Sequence, residues 1–476
     1  MKKISTDICV IGGGSGGLSV AAGAVQMGVK VVLIEAGEMG GDCLNYGCVP
    51  SKALLAAGKH AYMFGHSEAF GIAAAVPQVD FKKVHDHVHD VIATIAPIDS
   101  QERFEGLGVT VIREMAHFKD AKTVIAGDTE ITAKRIVVAT GSSPMEPPIP
   151  GLEDVPFFTN ETIFKNETLP EHLIVIGGGP IGMEMSQAHR RLGAKVTTLE
   201  GGVALGKDDP ELTAIVKKRL TDEGIDLREN AMVQRIEKTD AAGIRVVFEK
   251  DGQEQSVEGS HLLLAVGRKP NVDTLELEKA GIEYSKRGIK TDDRLRTTNK
   301  RVFAIGDVAG GLQFTHVAGY HAGIVIRNAL FKLPAKADHS AVPWVTYTDP
   351  EMAHVGLTEA QAHDQHGDAV KVLCWSFEEN DRAQAERRTE GMIKVMTGKK
   401  GIVLGASIAG AGAGDLLAPW ILAVGQKQKI GIMAQFIAPY PTMTEVSKRA
   451  AGAYYTDTLY SPKVRFVVRL LMRLFG

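Results

Sequence analysis

Two glycine clusters, far apart in the chain, constrain its fold more than any other feature. Gly12, Gly14 and Gly17 follow the mostly apolar run from Asp7 to Ile11, and Gly177, Gly179 and Gly182 follow the run from His172 to Ile176. Both sets have the spacing G-x-G-x-x-G, with a strand pattern before and a helix pattern after, Leu18 to Met27 in the first case and Met183 to Leu192 in the second. Such a turn lets a pyrophosphate approach the backbone and the positive end of a helix. A further strand pattern follows in each copy, Lys30 to Ile34 and Lys195 to Leu199, ending in Glu35 and Glu200. Those acids stand where a carboxylate accepts ribose hydroxyls, and each lies 23 residues after its first glycine. One glycine pattern alone is a weak signal. Two in strand-turn-helix context, with matching acids, predict two dinucleotide sites. No arginine occurs among Gly201, Gly202, Val203, Ala204 and Leu205 to offset the charge of Glu200 against a 2′-phosphate, so the second site is expected to prefer NADH over NADPH.

At 476 residues the chain has room for roughly three domains of ordinary size. Its 44% hydrophobic and 23% charged residues describe a soluble protein with large cores, and a net charge of -3 gives no reason to expect a nucleic-acid partner. Met1-Lys2-Lys3 before an apolar run mimics a secretory signal, but Gly12, Gly13, Gly14, Gly16 and Gly17 interrupt it. No uninterrupted apolar stretch reaches the ~18 residues of a membrane span. Four cysteines in the whole chain fit a reducing cytosol. Cys9 and Cys374 sit in apolar strand-like runs and read as core fillers.

The other two thiols, Cys43 and Cys48, lie in Gly40-Gly41-Asp42-Cys43-Leu44-Asn45-Tyr46-Gly47-Cys48-Val49-Pro50-Ser51-Lys52. Pro50 suits a first helical turn, and Ala53 to Ala57 continue with strong helix formers, so a helix is expected to start at or just before Cys48. Its N-terminal N–H groups, with Lys52 one turn on, favour thiolate. A structural disulfide or half a zinc site are the plainer alternatives. The lack of a second cysteine pair argues against both, and the segment reads as redox-active.

With these motifs in view the chain resembles the two-dinucleotide-binding flavoprotein disulfide reductases, which include dihydrolipoamide dehydrogenase, glutathione reductase and mercuric reductase. Val138-Ala139-Thr140-Gly141 and Ala265 to Asn271 look like the strand ends where the FAD and NAD domains join. Phe303-Ala304-Ile305-Gly306-Asp307 looks like the second FAD motif, and Thr346 to Glu351 like the entry to the dimerisation domain. The resemblance implies an α/β fold of two Rossmann-like FAD- and NAD(P)-binding domains with an α+β C-terminal dimerisation domain. Residues 1–150 and 265–335 would form the FAD domain, 151–264 the NAD domain and 336–476 most of a homodimer interface. FAD would be held by Gly12, Gly14, Gly17, Glu35, Gly41, Thr140, Gly141, Gly306, Asp307 and Ala318, and NAD by Gly177, Gly179, Gly182, Glu200 and Gly267. Asp307 would bind the ribityl chain, and the helix after Thr315 would face the flavin N1–C2=O edge; His316 reads as structural.

The same resemblance makes Cys48 the thiolate nearest the flavin and Cys43 the outer thiol that exchanges with substrate. Lys52 would approach flavin N5 and pair with Glu184, whose plainer role is an acid at a helix N-terminus. One departure stands out. Relatives that reduce lipoamide or glutathione carry a His-Pro with a glutamate five residues beyond the histidine, and here Tyr440 occupies the histidine position in Ala438-Pro439-Tyr440-Pro441-Thr442-Met443-Thr444-Glu445. A phenol with a pKa near ~10 does not cycle a proton at neutral pH as imidazole does. Lipoamide turnover is therefore expected to be poor, and Glu445 has no imidazole to orient. Thr442 and Glu445 also fit a capping box. Tyrosine in this place resembles mercuric reductase, yet no cysteine follows Cys374 to serve as that enzyme's C-terminal metal-receiving pair.

Three functions remain in play: NADH-dependent turnover of a small or protein disulfide or dithiol, reduction of a thiophilic metal ion, and a membrane-associated redox sensor or electron donor. The last is motivated by residues 461–476, where arginines recur every four residues among apolar ones. That segment would either pack on a partner subunit or lie on an anionic membrane surface at the inner face of a cytoplasmic membrane. His85, His87 and His89 read as a solvated helix face, with a metal clasp between His85 and His89 as the alternative; no resident metal is expected.

Overall fold

The structure is a computed structural model that describes residues 1–239 and 243–476. It forms two compact units, Met1–Gly201 with Ile225–Asp338, and Gly202–Gly224 with His339–Gly476.

In the first unit, apolar runs too uniform for a half-exposed strand become parallel strands covered on both faces. Strands Thr110–Ile112, Val31–Ile34, Lys2–Ile11, Thr129–Val138 and Val302–Ala304 lie side by side in that order and run parallel. The last of these brings residues from late in the chain beside the first strand's neighbour, pairing Val302 with Ile136. Strand Thr123–Ala126 continues the sheet antiparallel along the other half of Thr129–Val138. A second parallel sheet has the order Asp226–Arg228, Lys195–Leu199, His172–Ile176 and His261–Leu264. Helix Ser15–Gln26 follows the first glycine turn and helix Pro180–Leu192 the second. These are two Rossmann-type units in one compact body, which is the α/β class the motifs implied.

The two halves are stitched at their strand ends. Ser142–Pro144 pairs antiparallel with Arg268–Pro270, and the Thr140 hydroxyl donates to the Asn271 carbonyl at 2.8 Å. Helix Cys48–Gly65 packs on Pro180–Leu192 closely enough that a Cβ on Gly58 would come within 3.1 Å of the Ala188 carbonyl oxygen. The small residue sets the distance between the redox segment and the second nucleotide unit. Cys9, in the central strand, is fully buried, and burial pushes its thiol up to about 12, so it is an inert filler.

The second unit is built on an antiparallel sheet in the order Trp344–Thr346, Glu351–Gly356, Val403–Gly410, Met392–Thr397 and Lys371–Ser376. Helices Ala418–Gly425 and Glu445–Leu459 cover it, and Trp420 is wholly buried between them with its indole N–H donating to the Ser447 hydroxyl at 3.0 Å. Helix Pro210–Asp222 also belongs here rather than with residues 151–201. Its N-cap Asp209 and its first-turn Glu211 lie 2.9 and 2.7 Å from the ammonium of Lys394, whose side chain is 3% exposed, and Glu359 completes the cage at 2.7 Å. Burial opposes a charge at Lys394, but the three carboxylates hold its pKa above the usual lysine value.

Two sequence expectations fail in this unit. Cys374 is exposed, because it lies on the edge strand Lys371–Ser376. Thr442 and Glu445 form no capping box: the helix begins at Glu445 itself with Thr444 as N-cap, and the Thr442 hydroxyl donates to the Pro439 carbonyl at 2.8 Å.

Candidate functional site

The two glycine turns have matching geometry. Gly12 and Gly177 have φ values of +110° and +113°, and a Cβ there would sit 2.3 and 2.4 Å from the carbonyl oxygens of Ala139 and Ala265. A Cβ on Gly17 or Gly182 would strike the carbonyl oxygen of its own first glycine at 1.8 or 1.9 Å. Only glycine permits either approach. At the second glycine there is room instead: a Cβ on Gly179 would meet nothing within 4 Å, and on Gly14 the nearest atom is the Gly41 Cα at 3.8 Å. A pyrophosphate fits where that space faces the helix N-terminus. Glu35 accepts from the Gly13 N–H at 2.5 Å and Glu200 from the Gly178 N–H at 2.6 Å, so each acid is fixed against its turn.

The redox segment is fastened to the first turn through backbone. Gly14 bridges to Gly40, and a Cβ on Gly41 would lie 2.7 Å from the Gly14 Cα. Cys43 sits in a short helix, Gly41–Asn45, and Cys48 opens the long helix Cys48–Gly65, where the sequence placed its start. The two thiols are free and lie close enough that each shifts the other's titration. Cys48 is exposed and its Sγ lies 3.4 Å from the Thr315 hydroxyl. The neighbouring Cys43 thiol, the Thr315 hydroxyl and the Lys52 charge outweigh burial and lower the Cys48 thiol to about 6. Cys43 moves the other way, raised by the neighbouring Cys48, by burial and by the Cys48 charge. The environment therefore favours the thiolate at Cys48 over Cys43.

Lys52 reaches the Glu184 carboxylate at 2.8 Å, across from the helix of the second turn, and Glu184 is buried. Thr315 is the first residue of helix Thr315–Ala329. Ala318, one turn on, packs under both glycine motifs: a Cβ on Gly16 would lie 3.2 Å from the Ala318 Cβ, and one on Gly306 3.0 Å from it. This helix therefore joins the first turn to the Gly306-Asp307 motif and delivers a hydroxyl to Cys48. His316, beside Thr315, is exposed and stacks on Phe314. Asp307 accepts from the Ser142 hydroxyl at 2.6 Å, and burial raises its carboxyl pKa.

Sequence reasoning missed several members of this network. Arg268 donates to the Ser142 hydroxyl and carbonyl at 2.8 and 2.7 Å and pairs with Asp42 at 2.9 Å; Asn160 donates to the same Asp42 oxygen at 3.0 Å. A chain of polar contacts thus runs from Asp307 to the residue preceding Cys43. Arg268 lies inside a quoted motif, but nothing in its spacing pointed to Asp42. Arg228 was also missed: it ends the strand paired with Lys195–Leu199, next to Glu200, and is held by Asp226 at 2.8 Å and stacked 5.3 Å over the Phe248 ring.

In the second unit Tyr440 is 70% exposed and donates to the Asp381 carboxylate at 2.8 Å, which raises its pKa. Glu445 is the first residue of its helix. Thr140 and Gly141 line the strand-end junction with Asn271, and Gly267 has a φ of +126° beside it. His85 and His89 stack 4.0 Å apart on helix Phe81–Asp99, and no metal-binding group of three or more ligands occurs among the described residues.

Residues 6–322 match the family model described as pyridine nucleotide-disulphide oxidoreductase, and residues 342–451 match that family's dimerisation domain. The chain belongs to this family. It is 37% identical to a mercuric reductase of Bacillus cereus over 95% of this chain and 72% of the relative. It is 36% identical to a dihydrolipoyl dehydrogenase of Geobacillus stearothermophilus over 94% of this chain and 96% of the relative. Among solved structures, the Cu(II) complex of the HOCl-induced flavoprotein disulfide reductase RclA from Escherichia coli superposes with a TM-score of 0.82 at 27% identity, covering 93% of this chain and 99% of that one. The protein is a flavoprotein oxidoreductase of the redox-disulfide type that uses FAD and NAD(P)H, and its dimerisation domain supports a homodimer. The glycine turns fit those two dinucleotides without a side chain in the way.

Proposed function

We propose that this enzyme takes electrons from NADH, passes them to the Cys43–Cys48 pair and spends them on a disulfide substrate other than lipoamide. FAD held on the first glycine turn supplies the two-electron relay between nicotinamide and sulfur. Overall, NADH and the enzyme disulfide give NAD⁺, one thiol and one thiolate. Substrate disulfide plus one proton then restores the enzyme disulfide and releases two thiols. The observation that carries this reading is the placement of two thiols, Cys43 and Cys48, on a segment fastened to a dinucleotide turn through Gly14, Gly40 and Gly41, with the Thr315 hydroxyl 3.4 Å from the Cys48 Sγ and Lys52 one helical turn on.

Cys48 holds the charge, with Thr315 and Lys52 stabilising it, and Cys43 keeps the proton until it attacks substrate. Lys52, paired with Glu184, positions its ammonium between the thiolate and the second nucleotide unit. Residues 1–150 with 265–335 are assigned to FAD and 151–264 to NAD. Glu200 repels a 2′-phosphate, and the tie of Arg228 to Asp226 keeps its charge from answering one, which supports NADH as donor. Tyr440, its pKa raised by Asp381, serves the exchange step as a neutral hydrogen-bond donor, with Glu445 nearby in sequence. A dithiol of this kind works in a reducing compartment, the cytoplasm.

Tyr440 and the mercuric reductase relatives favour a second reading, in which the same two electrons go to thiophilic metal, one Hg(II) held by both sulfurs taking both or two Cu(II) ions taking one each, while the sulfurs rejoin as a disulfide. NADH oxidation measured against a panel of disulfides, lipoamide and Hg(II) or Cu(II) salts separates the two. Turnover of a disulfide at least about tenfold faster than of lipoamide, abolished by Cys43→Ser, supports the first reading. Metal-dependent oxidation without disulfide turnover supports the second, and brisk lipoamide turnover contradicts the role given to Tyr440.

A further inference from the structure

The last helix, Pro462–Phe475, is a separate element with its own start signal. Ser461 caps it, accepting from the Val464 N–H at 3.3 Å, and Pro462 occupies its first turn. None of its residues is buried: Phe466 and Met472 are each 67% exposed and Phe475 84%. A soluble chain rarely leaves so many large apolar side chains together in water. At 100° per residue, Arg465, Arg469 and Arg473 fall within one narrow stripe, while Val467, Leu471 and Leu474 lie on the opposite side. With Lys463 the segment carries four positive charges and no acid, and none of the four makes an ion pair or a side-chain hydrogen bond among the described residues.

Three observations choose the occupant of this face. The dimerisation domain match ends at residue 451, so the helix lies beyond the part of the chain that the family uses to dimerise. A second copy of the helix would bring like charges together, which is unfavourable without intervening acids. An anionic surface answers both the charge and the apolar face, since a helix of this kind lies in the interfacial plane with its basic residues at headgroup level. At 1.5 Å per residue the helix is about 21 Å long, too short to span a bilayer upright but suited to lying on one.

We propose that residues 461–476 dock the enzyme onto an anionic phospholipid surface, making it a peripheral membrane reductase. The docking is independent of which disulfide or metal the site reduces. It is tested by co-sedimenting the full-length FAD-loaded protein with vesicles of phosphatidylcholine alone or with three parts in ten phosphatidylglycerol, alongside a variant ending at residue 460 and the triple variant Arg465→Glu, Arg469→Glu, Arg473→Glu. Light scattering reports the oligomeric state of each, and NADH oxidation its basal activity. The expected result is retention on the anionic vesicles, weakened about tenfold or more in the triple variant and on neutral vesicles, and lost on truncation, with dimer and basal activity intact. Equal sedimentation of full-length and truncated proteins overturns the proposal. So does absence of retention, and so does a truncated protein that falls to monomers while the full-length one ignores vesicles, which would make the helix a subunit contact.

Discussion

Three groups favour charge on the sulfur of Cys48, the Cys43 thiol, the Thr315 hydroxyl 3.4 Å away and the Lys52 ammonium, against the opposing charge of Asp42. A lowered pKa means that thiolate persists as pH falls until about 6, whereas an ordinary thiol protonates near 9.0. Alkylation of the reduced protein by iodoacetamide is therefore expected to reach Cys48 at lower pH than Cys43. Thr315→Val should move the Cys48 midpoint up by about one unit, since it removes one charge-assisted hydrogen bond. An unchanged midpoint in that variant would remove Thr315 from the site. Tyr440 gives a contrasting expectation. Because Asp381 raises its pKa, its phenol stays protonated well past neutrality, so the neutral-range inflection in the pH profile of turnover should be that of Cys48 alone and should move with Thr315→Val, with no second inflection near ~6.5 of the kind a histidine gives. Tyr440→His should add that second inflection, one that Thr315→Val does not move, and raise dihydrolipoamide oxidation about tenfold or more.

At the scale of elements, contacts made by glycine backbone were legible in the sequence, because a turn with φ above +100° and a carbonyl 2.3 Å from a would-be Cβ admits no other residue. The start of the helix at Cys48 was legible for a similar local reason, the placement of Pro50. What spacing could not reveal were partners brought together by topology: Thr315 reaches Cys48 across 267 residues, and Arg268 reaches Asp42 from the far end of a strand crossover. Cys374 was misjudged because an apolar run does not say whether its strand is central or at an edge. The failed capping box shows the same limit, since a one-residue shift in helix start moves Glu445 out of the third position.

Two tests belong to this scale. Gly41→Ala drives a Cβ to 2.7 Å from the Gly14 Cα at a positive φ, so the variant should retain about a tenth or less of the flavin per chain, read from the ratio of flavin to protein absorbance. Lys394→Met removes the cation from the Asp209, Glu211 and Glu359 cage, and the buried Asp209 carboxylate should then cost about 3–5 kcal/mol of stability, measured by urea unfolding. Full flavin content in the first case, or unchanged unfolding in the second, would reject the respective contact.

For the whole molecule, the first unit holds both nucleotide turns and the redox helix in one compact body. Two dinucleotide turns of matching geometry lie in the first unit, and the Lys52–Glu184 pair ties the redox helix to the helix that follows the second turn. On the proposed role of Glu200, the kcat/KM for NADH should exceed that for NADPH by about a hundredfold, and Glu200→Ala should narrow the gap. The most direct test of electron flow is an anaerobic titration with a single equivalent of NADH per oxidised chain, followed by acid quench, alkylation and mass spectrometry. Cys43 and Cys48 should together become alkylated while the yellow flavin band largely persists. Bleaching of the flavin with both sulfurs still joined would contradict passage of the electrons through this pair.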